Sequence, residues 1–510
     1  MNSVKSLRVL RFCCTVFGAA LVMSVGGNAQ VPEPRVVAAA GHPASAKKGL
    51  PVWETWIAAG ESEVISVYHV GTGERIGYAL HDSAGGDWTD FGIIADGGSG
   101  GVNGAVDPSI AYLGPDSDTF LACSMVAQSG SRAIGVSRFA NGDWDSWEPL
   151  TDFIFGPFGY DKPWILAGGA YEGERELYIT FWRTTGGGRH SYLRSMDGGE
   201  TWTLGDITFG LGGEVVEMGA ANYQPAVAGG GPLYLAYPPV ADLREIRFVC
   251  GRDIDDPNDP DFGEIEFSAL PGCDSYESLG DDPVPSVLEL VVTRNRTTFE
   301  IPDMLPGGDV RMDFQSIPWL AADPNDPNQL YLVYHDTATA DSNDLDVNVY
   351  CQKLRFQLGG WCAGDRVTVN DGDDQNYEVD QFMPSVTVDD AGRVHILYYD
   401  DRRYNVDSDQ NEGTVYPRVD VYYTYSNNGG GFFQSGAELT KDPNGADPNE
   451  TCLDYDLLDG FNFPYKPGDY NGIAAYGGTV WTAFTGTSLD ELDGDPQSNP
   501  SVIWACRIPF

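Results

Sequence analysis

Carboxylates, guanidinium groups and a phenol recur in this chain where short apolar segments begin or end. The residues of this kind that could do chemistry are Asp161, Arg183, Asp401, Arg402, Arg403, Asp469 and Tyr470. A pair of carboxylates acts as acid and base in glycoside hydrolysis, and arginine binds carboxylates through two parallel hydrogen bonds. Structural roles fit as well, because Asp caps turns and the Asp400–Arg403 run fits a surface ion-pair cluster. These residues therefore predict a site only if the fold brings the segment ends together.

The apolar segments repeat with a period of roughly 55 to 75 residues, which indicates a repeat architecture. Each unit has a short apolar strand, often preceded by a polar residue and proline, then a turn and an alternating aromatic–aliphatic strand. Clear examples begin at Asp107-Pro108, Lys162-Pro163 and Met383-Pro384. Alternation at period two with Gly, Asp, Pro and Asn turns predicts an all-β fold of four-stranded antiparallel blades. The sequence predicts a β-propeller with six or seven blades, seven by unit count.

The last unit shows only three strands, which are residues 473–476, 479–485 and 501–508. A strand from residues 36–57 would complete it and close the ring, leaving no open edge. Six blades result instead if the first unit serves only to complete the last.

Strands of a blade alternate in direction, and this divides the loops between two faces. The starts of the innermost strands and the loops between second and third strands share one face, which we call the front; the remaining loops lie on the back. Further polar residues predicted at the front are Asp107, Lys162, Gln224, Gln315, Asp380, Gln381, His190, His335, Asp336 and the 490–495 segment. Long loops at 400–418 and 486–500 belong to the same face. A polar, concave front is the expected ligand site.

The octapeptide Ser195–Trp202 (SMDGGETW) predicts a tight turn between the third and fourth strands of a blade. Asp197 accepts backbone hydrogen bonds, Gly198 and Gly199 supply positive φ, and Trp202 returns to the hydrophobic layer. Weaker echoes occur at residues 137–144 and 426–433.

The S-x-D-G-G-x-T-W run resembles the Asp-box, or BNR repeat, of the sialidase superfamily of β-propellers, with Ser195, Asp197, Gly199 and Trp202 at its defining positions. In that family the box is structural and lies far from the active site. The resemblance implies hydrolysis of a terminal acidic sugar, with three arginines on the sugar carboxylate, a Tyr nucleophile with a Glu partner, and an Asp acid/base. The arginine candidates are Arg183, Arg402 and Arg403, and the tyrosine candidates are Tyr398, Tyr404 and Tyr470. The family's Phe-Arg-Ile-Pro motif is absent from the first unit.

Three functional hypotheses stay open at this stage. A secreted sialidase-like glycoside hydrolase requires a carboxylate pair in the front funnel. A non-catalytic glycan- or protein-binding propeller requires aromatic and acidic lining without such a pair. A structural propeller stabilised by Ca²⁺ requires clustered carboxylates, for which Asp161, Asp380 and Asp469 are candidates.

The formal net charge of −45 disfavours nucleic acid and anionic membranes as partners. An extracellular glycan or glycoprotein is the expected partner, and the chain is expected to be a monomer. The charge fits a solvated acidic surface or bound Ca²⁺, and no motif requires another cofactor.

The first residues indicate export, because Lys5, Arg8 and Arg11 precede an apolar stretch too short to span a membrane comfortably. We expect a signal peptide at 1–29, a flexible leader at 30–49, and a single propeller domain at 50–510 in an extracellular or periplasmic protein.

Two of the nine cysteines leave with the signal peptide. In an oxidising compartment, Cys351–Cys362, Cys250–Cys273 and Cys452–Cys506 are candidate disulfides, with Cys123 as a buried thiol.

Overall fold

The computed structural model describes residues 34–39 and 52–510, with gaps within the second range. The gaps are 72–74, 83–87, 96–101, 116, 156–158, 172–173, 184–188, 210–213, 216–224, 228–232, 239–243, 254–264, 270–290, 296–297, 302–311, 341–345, 358–359, 371–379, 401–417, 440–452, 455–469 and 488–500. The predicted signal peptide lies outside the described residues.

Across these residues the chain forms seven antiparallel blades in a ring, so the fold is the all-β, seven-bladed propeller that the unit count predicts. From the axis outward, blade 1 consists of Val52–Ala59, Glu63–Val70, Arg75–Asp82 and Trp88–Ile93. Blade 2 consists of Gly104–Tyr112, Phe120–Gln128 and Ser131–Ala140, with Asp143–Trp144, Glu148–Pro149 and Ile154–Phe155 all paired to its third strand. Blade 3 consists of Tyr160–Tyr171, Glu174–Arg183, Arg189–Ser195 and Thr203–Asp206.

The second half of the ring carries short additional strands. Blade 4 consists of Ala226–Val227, Leu233–Tyr237, Glu245–Asp253 and Ile265–Ala269, with Val291–Thr293 also on its third strand. Blade 5 consists of Trp319–Asp323, Asp326–Thr337, Val347–Gln357 and Gly360–Ala363, with Val367–Thr368 also on its third strand. Blade 6 consists of Gln381–Val388, Val394–Asp400, Arg418–Ser426 and Ala437–Glu438, with Leu453–Asp454 also on its third strand. Two small hairpins, Thr208–Phe209 with Glu214–Val215 and Thr298–Ile301 with Met312–Gln315, follow blades 3 and 4.

Blade 7 joins the two ends of the described chain. Its inner three strands are Gly472–Tyr476, Thr479–Thr487 and Ser501–Pro509, and its outer strand is Pro34–Ala39, antiparallel to the third. The predicted closure by an N-terminal strand is confirmed, with the strand at 34–39 in a stretch that the sequence assigned to the leader. Pairing this strand removes the open edge that Ser501–Pro509 would otherwise present.

Apolar side chains fill the spaces between neighbouring blades, since both faces of each blade pack against another blade. Second strands are almost wholly buried, as in Phe120–Gln128 and Leu233–Tyr237. Near the axis an aromatic cluster of Trp56, Trp164 and Trp319 forms part of the largest core. Among the described residues no helix is long and apolar enough to cross a membrane.

The Ser195–Trp202 turn has the hydrogen bonds that its sequence predicts. Asp197 Oδ1 accepts the backbone N–H of Thr201 at 2.9 Å, and Ser195 Oγ accepts that of Gly199 at 2.8 Å. The glycines at 198 and 199 have φ of 67° and 92°. Partial burial opposes ionisation of Asp197, but hydrogen bonds from Thr201, Ser195 and Glu200 outweigh it and lower its pKa. The turn lies between the third and fourth strands of blade 3, on the back.

The echo that starts at Ser426 folds in the same way. Asn428 Oδ1 accepts the N–H of Phe432 at 3.0 Å, and Ser426 Oγ accepts that of Gly430 at 3.0 Å. A Cβ on Gly430 would lie 3.2 Å from the Tyr331 ring of blade 5, so this turn packs closely on the preceding blade. Gly199 likewise faces Leu121 and Arg138 of blade 2. Each turn therefore joins two strands of its own blade and packs against the preceding blade at the back.

Two of the three predicted disulfides are wrong. Cys351 and Cys362 are free thiols, because Cys362 pairs with Arg355, four residues along the strand from Cys351. Four residues of strand span about 13 Å, whereas a disulfide needs Cα atoms about 4.4–6.8 Å apart. Cys506 is a buried free thiol, so the predicted Cys452–Cys506 disulfide is wrong as well. Cys273 lies outside the described residues, so the Cys250–Cys273 pairing stays a prediction. Cys123 is a buried free thiol, as predicted.

Candidate functional site

Four innermost strands carry the same backbone irregularity at their front ends. In blades 1, 2, 3 and 6 the register shifts there, and one residue has positive φ: Glu54 at 52°, Asp107 at 54°, Lys162 at 45° and Met383 at 47°. Such residues with a Cβ are uncommon in this region and mark strained bulges. Strain of this kind clusters at functional sites.

The prolines of the repeat explain three of these bulges. Pro108, Pro163 and Pro384 directly follow Asp107, Lys162 and Met383. Proline has no N–H to give to the strand ladder, so pairing is interrupted at this point. The interruption lets the preceding residue leave the regular pleat.

Three of the four strained residues are charged and meet at the axis. Lys162 Nζ lies 3.0 Å from Glu54 Oε1 and 3.3 Å from Asp107 Oδ1. The exposed fractions are only 6% for Lys162, 7% for Glu54 and 9% for Asp107. Buried charges persist only when paired, and here one ammonium serves two carboxylates. We call Glu54, Asp107 and Lys162 the axial ion cluster.

Aromatic rings pack beside the axial ion cluster. Trp56 stacks on Trp319 with ring centroids 5.6 Å apart, and Trp164 meets the Tyr470 ring edge-on at 4.8 Å. Lys162 Nζ lies 5.2 Å from the centre of the Tyr470 ring, a cation–π distance. The Tyr470 hydroxyl donates to the Pro108 carbonyl at 3.0 Å, which links blade 7 to blade 2.

Arg183 lies at the front end of blade 3, one strand outward from Lys162. Its Nη2 donates to both oxygens of Asp206, at 3.1 and 3.2 Å, and Arg189 Nη1 reaches Asp206 Oδ2 at 3.2 Å. Ser191 Oγ donates to Asp206 Oδ1 at 2.7 Å. His190, which lies between Arg189 and Ser191 in the sequence, is fully buried, and burial lowers its pKa to about 3.

A second buried group lies at the front of blade 5. Asp336 Oδ2 accepts Arg366 Nη1 at 3.0 Å and the backbone N–H of Asn295 at 2.8 Å. Burial lowers the pKa of Arg294 to about 10 against the opposing attraction of Asp336. Burial and the Arg294 charge lower the pKa of His335 to about 3.

The described front of blades 6 and 7 holds buried polar groups in structural contacts. Asp380 Oδ1 accepts the Val347 N–H at 2.9 Å. Tyr399 donates to Asn471 Oδ1 at 3.0 Å. Asp400 and Asp420 lie opposite each other in the register of neighbouring strands of blade 6, and both are fully buried.

The structure places three of the predicted catalytic residues in one region. Asp161, Arg183 and Tyr470 lie at the front, with Asp161 opposite Trp182 and next to Lys162. Asp401, Arg402, Arg403 and Asp469 lie outside the described residues, as does Gln224. The catalytic roles of all seven candidates stay predictions.

Sequence reasoning missed Glu54, Arg189 and Asp206. Glu54 has no proline after it, so the repeat signal that marks Asp107 and Lys162 is absent there. Glu54 nevertheless occupies the position in blade 1 that Lys162 occupies in blade 3, because Trp56 and Trp164 each lie two residues after the strained residue. This two-residue spacing to a tryptophan was the sequence signal that could have identified Glu54.

Calcium binding also stays a prediction. Among the described residues no group of three or more His, Cys, Asp or Glu side chains is arranged to hold a metal. The Asp-Pro-Asn turn on the back is a hydrogen-bonded turn, since Asp323 and Asp326 each accept the N–H two residues on, at 2.9 and 3.0 Å.

Neither a protein-family model nor a curated protein matches the sequence. Solved structures similar to this chain include the Hadza microbial sialidase Hz136, at 14% identity over 72% of this chain and 66% of that one, slightly under two thirds, with a TM-score of 0.39. An ulvan lyase of polysaccharide lyase family PL25 is similar at 13% identity over 89% and 94%, with a TM-score of 0.45. The phage phi92 endosialidase is similar at 7% identity over 94% and 69%, with a TM-score of 0.41. At these sequence identities and TM-scores, the activities of these proteins are not assigned to this chain.

Proposed function

We propose that this protein is a secreted, carbohydrate-active β-propeller that hydrolyses an extracellular glycan at its front face, as a sialidase-like glycoside hydrolase. The axial ion cluster is the observation that carries the proposal. Three charged residues from three blades, each in strained backbone, meet at one buried point. A purely structural position would have no need of strained, charged residues in place of apolar ones.

The two carboxylates of the cluster are close enough to act as the carboxylate pair of a glycosidase. Because Glu54 Oε1 and Asp107 Oδ1 both contact one nitrogen, at 3.0 and 3.3 Å, they are at most about 6.3 Å apart. Retaining enzymes hold their two carboxyl groups about 5–5.5 Å apart, and inverting enzymes about 6.5–9.5 Å apart. The proposal therefore includes a carboxylate pair at the axis of the front face.

In this proposal Glu54 and Asp107 share the nucleophile and acid/base roles, which departs from the Tyr nucleophile of the resembled family, and Lys162 holds them in position. The rings of Trp164 and Tyr470 give a rigid apolar support beside the reacting bond. The three charges of the cluster sum to one negative charge, so an acidic sugar needs positive groups from elsewhere on the front. Arg183 supplies a positive group one strand away.

A non-catalytic glycan-binding propeller is the second candidate. It is favoured by one observation: the ammonium of Lys162 already pairs with both carboxylates, and all three groups are less than one-tenth exposed. In that case the cluster joins blades 1, 2 and 3 and the front only binds sugar.

The two candidates are separated by turnover. The mature chain is screened against fluorogenic glycosides, sialosides included, with and without Ca²⁺, and compared with Glu54→Gln and Asp107→Asn. As a matched control, Asp323→Asn changes a buried carboxylate on the back. We expect turnover that falls at least about 100-fold in the two front variants, as for lost acid–base groups, and persists in the control. Glycan-array binding without any turnover would favour the second candidate, and absence of both would refute both.

A further inference from the structure

The ammonium of the axial ion cluster projects from an irregular stretch of backbone. In the innermost strand of blade 3 the register shifts between Asp161 and Trp164, and this leaves Lys162 and Pro163 out of the register with the second strand, Glu174–Arg183. Buried polar groups of the backbone at such a bulge need hydrogen-bond partners from outside the strand ladder. The position of the Lys162 side chain therefore depends on what holds the bulge.

A serine of blade 2 holds this bulge. Ser109 Oγ donates to the Pro163 carbonyl at 2.9 Å and accepts the backbone N–H of Ile165 at 3.1 Å. The serine is fully buried, and its one hydroxyl is both donor and acceptor, as the chemistry of the group allows. Ser109 lies two residues after Asp107 on the same strand. The strand that gives a carboxylate to Lys162 thus also bonds the backbone that carries Lys162.

Two further bulges are held in the same way by side chains of another blade. In blade 2 the Pro108 carbonyl accepts the Tyr470 hydroxyl of blade 7 at 3.0 Å. In blade 6 the Met383 carbonyl accepts Asn471 Nδ2 of blade 7 at 3.4 Å. In blades 2, 3 and 6 a carbonyl of the bulge is therefore bonded from a different blade, so the bulges are fixed relative to one another around the axis.

We propose that Ser109 is a positioning residue of the axial ion cluster. By fixing the bulge of blade 3 against blade 2, it sets the distance between the Lys162 ammonium and the Asp107 carboxylate, which is 3.3 Å. Ser109 acts through the backbone of Pro163 and Ile165 and not by contact with substrate. Its catalytic consequence rests on the proposed function, because a small displacement of reacting groups lowers a reaction rate steeply.

Blade 6 offers a matched control at the same place in the repeat. Ser385 lies directly after the proline of its innermost strand, as Ser109 does, and both serines are fully buried. Ser385 Oγ makes no hydrogen bond to any residue that the structure describes. Ser109→Ala and Ser385→Ala therefore remove the same atom from equivalent strands, and only the first removes bonds to a bulge.

The exchange of the Lys162 ammonium protons with water is measured by heteronuclear NMR of the mature chain, labelled at the lysine side-chain nitrogens. Burial and two ion pairs slow this exchange. The Lys162 signal is the one that shifts in both Glu54→Gln and Asp107→Asn. The variants are Ser109→Ala, Ser385→Ala and Ser109→Cys, whose thiol fills the space of the hydroxyl but is a weak donor. Circular dichroism and thermal unfolding verify that each variant folds.

Exchange in Ser109→Ala should be roughly tenfold faster than in the wild type, because loss of buried hydrogen bonds lets the bulge open more often. Ser109→Cys should lie between the two, and it carries the comparison if Ser109→Ala does not fold. Ser385→Ala should match the wild type. Equal exchange in Ser109→Ala and the wild type would overturn the assignment, as would an equal acceleration in Ser385→Ala. Wild-type exchange as fast as that of an exposed lysine would overturn it too, since the ammonium would then not be held.

Turnover tests the catalytic consequence separately. On a glycoside that the wild type hydrolyses, Ser109→Ala should lower kcat roughly tenfold with KM little changed, because misplaced groups weaken the transition state more than substrate binding. Ser385→Ala should keep the wild-type kcat. An unchanged kcat in Ser109→Ala would overturn the positioning role. If the wild type hydrolyses no glycoside, the hydrolase proposal fails, and the exchange measurement still decides what Ser109 does to the cluster.

Discussion

Lys162 and Glu54 bind each other at 3.0 Å although 108 residues separate them in the sequence. The contact joins the innermost strands of blades 3 and 1, with Asp107 of blade 2 between them in the chain. An electrostatic contact therefore ties three blades together at the point where the proposed chemistry takes place.

Replacing Lys162 with Met should destabilise the fold strongly, because it leaves two buried carboxylates facing each other. Removing one partner of a buried ion pair costs about 3–5 kcal/mol. The measurement is the urea unfolding free energy of Lys162→Met. The triple variant with Glu54→Gln and Asp107→Asn should recover much of the loss. If the single variant is as stable as wild type, the charges are not paired in solution.

Acid should destabilise the protein through His190 and His335. Both have folded pKa values lowered to about 3, chiefly by burial, against about 6.5 when unfolded. Their contribution to stability is complete above about pH 6.5 and is lost as pH falls toward 3, since only the unfolded chain takes up the proton. Each histidine adds a slope of up to about 1.4 kcal/mol per pH unit.

The comparison for that prediction is His335→Gln. The carboxylates titrate in both proteins, so the difference between their urea midpoints at pH 7, 5 and 4 isolates the histidine. The variant should lose less stability on acidification than wild type. Parallel curves would mean that His335 is protonated in the folded state.

Asp197→Ala should lower stability by about 1–2 kcal/mol, the cost of lost side-chain hydrogen bonds to Thr201 and Glu200. Binding at the front should not change, because the turn lies on the back. Asn428→Ala, in the equivalent turn of blade 6, is the matched variant and should behave alike. Thermal unfolding and glycan binding measured together test both statements; weakened binding at unchanged stability would contradict them.

Alkylation should distinguish Cys362 from the buried thiols. Cys362 is partly exposed, whereas burial raises the pKa of Cys351 to about 12 and also raises those of Cys123 and Cys506. In the native, unreduced protein, iodoacetamide should label Cys362 first, and Cys123 and Cys351 only after unfolding. Mass spectrometry reads the labels. Failure to label Cys351 and Cys362 in denaturant without reductant would restore the disulfide between them.

Removing the outer strand of blade 7 should expose the edge of Ser501–Pro509. A chain that begins at residue 41 should unfold at lower temperature and self-associate more than one that begins at residue 31, because an unpaired strand edge recruits other strands. Light scattering and thermal unfolding of the two chains measure the effect. Equal stability would show that the closing strand contributes little.

The repeat pattern predicted the fold because each blade reuses the same signals. Alternating strands and turn residues predicted seven units, and the shortage of one strand in the last unit predicted closure from the N-terminus. The same period predicted which face holds Asp161, Arg183 and Tyr470. These are consequences of chain direction within a blade and need no side-chain detail.

The side-chain contacts of the site could not be predicted from the sequence. The proline after Asp107 and Lys162 was visible, but the positive φ that brings their side chains together depends on the bulge. Glu54 lacks the proline and looks like any polar residue in a strand. The pairing of Arg183 and Arg189 on Asp206 needs the outer strand of blade 3 in register. The Cys351–Cys362 disulfide failed for the same reason, since hairpin register, and not closeness in sequence, sets which residues face each other.

The pairing of Pro34–Ala39 with Ser501–Pro509 also constrains the order of folding. The first of these strands can pair only after the six other blades and the rest of blade 7 have been made. Contacts so distant in sequence form slowly. Closing the ring is therefore expected to be a late step of folding, after the hairpins within each blade have formed from neighbouring strands.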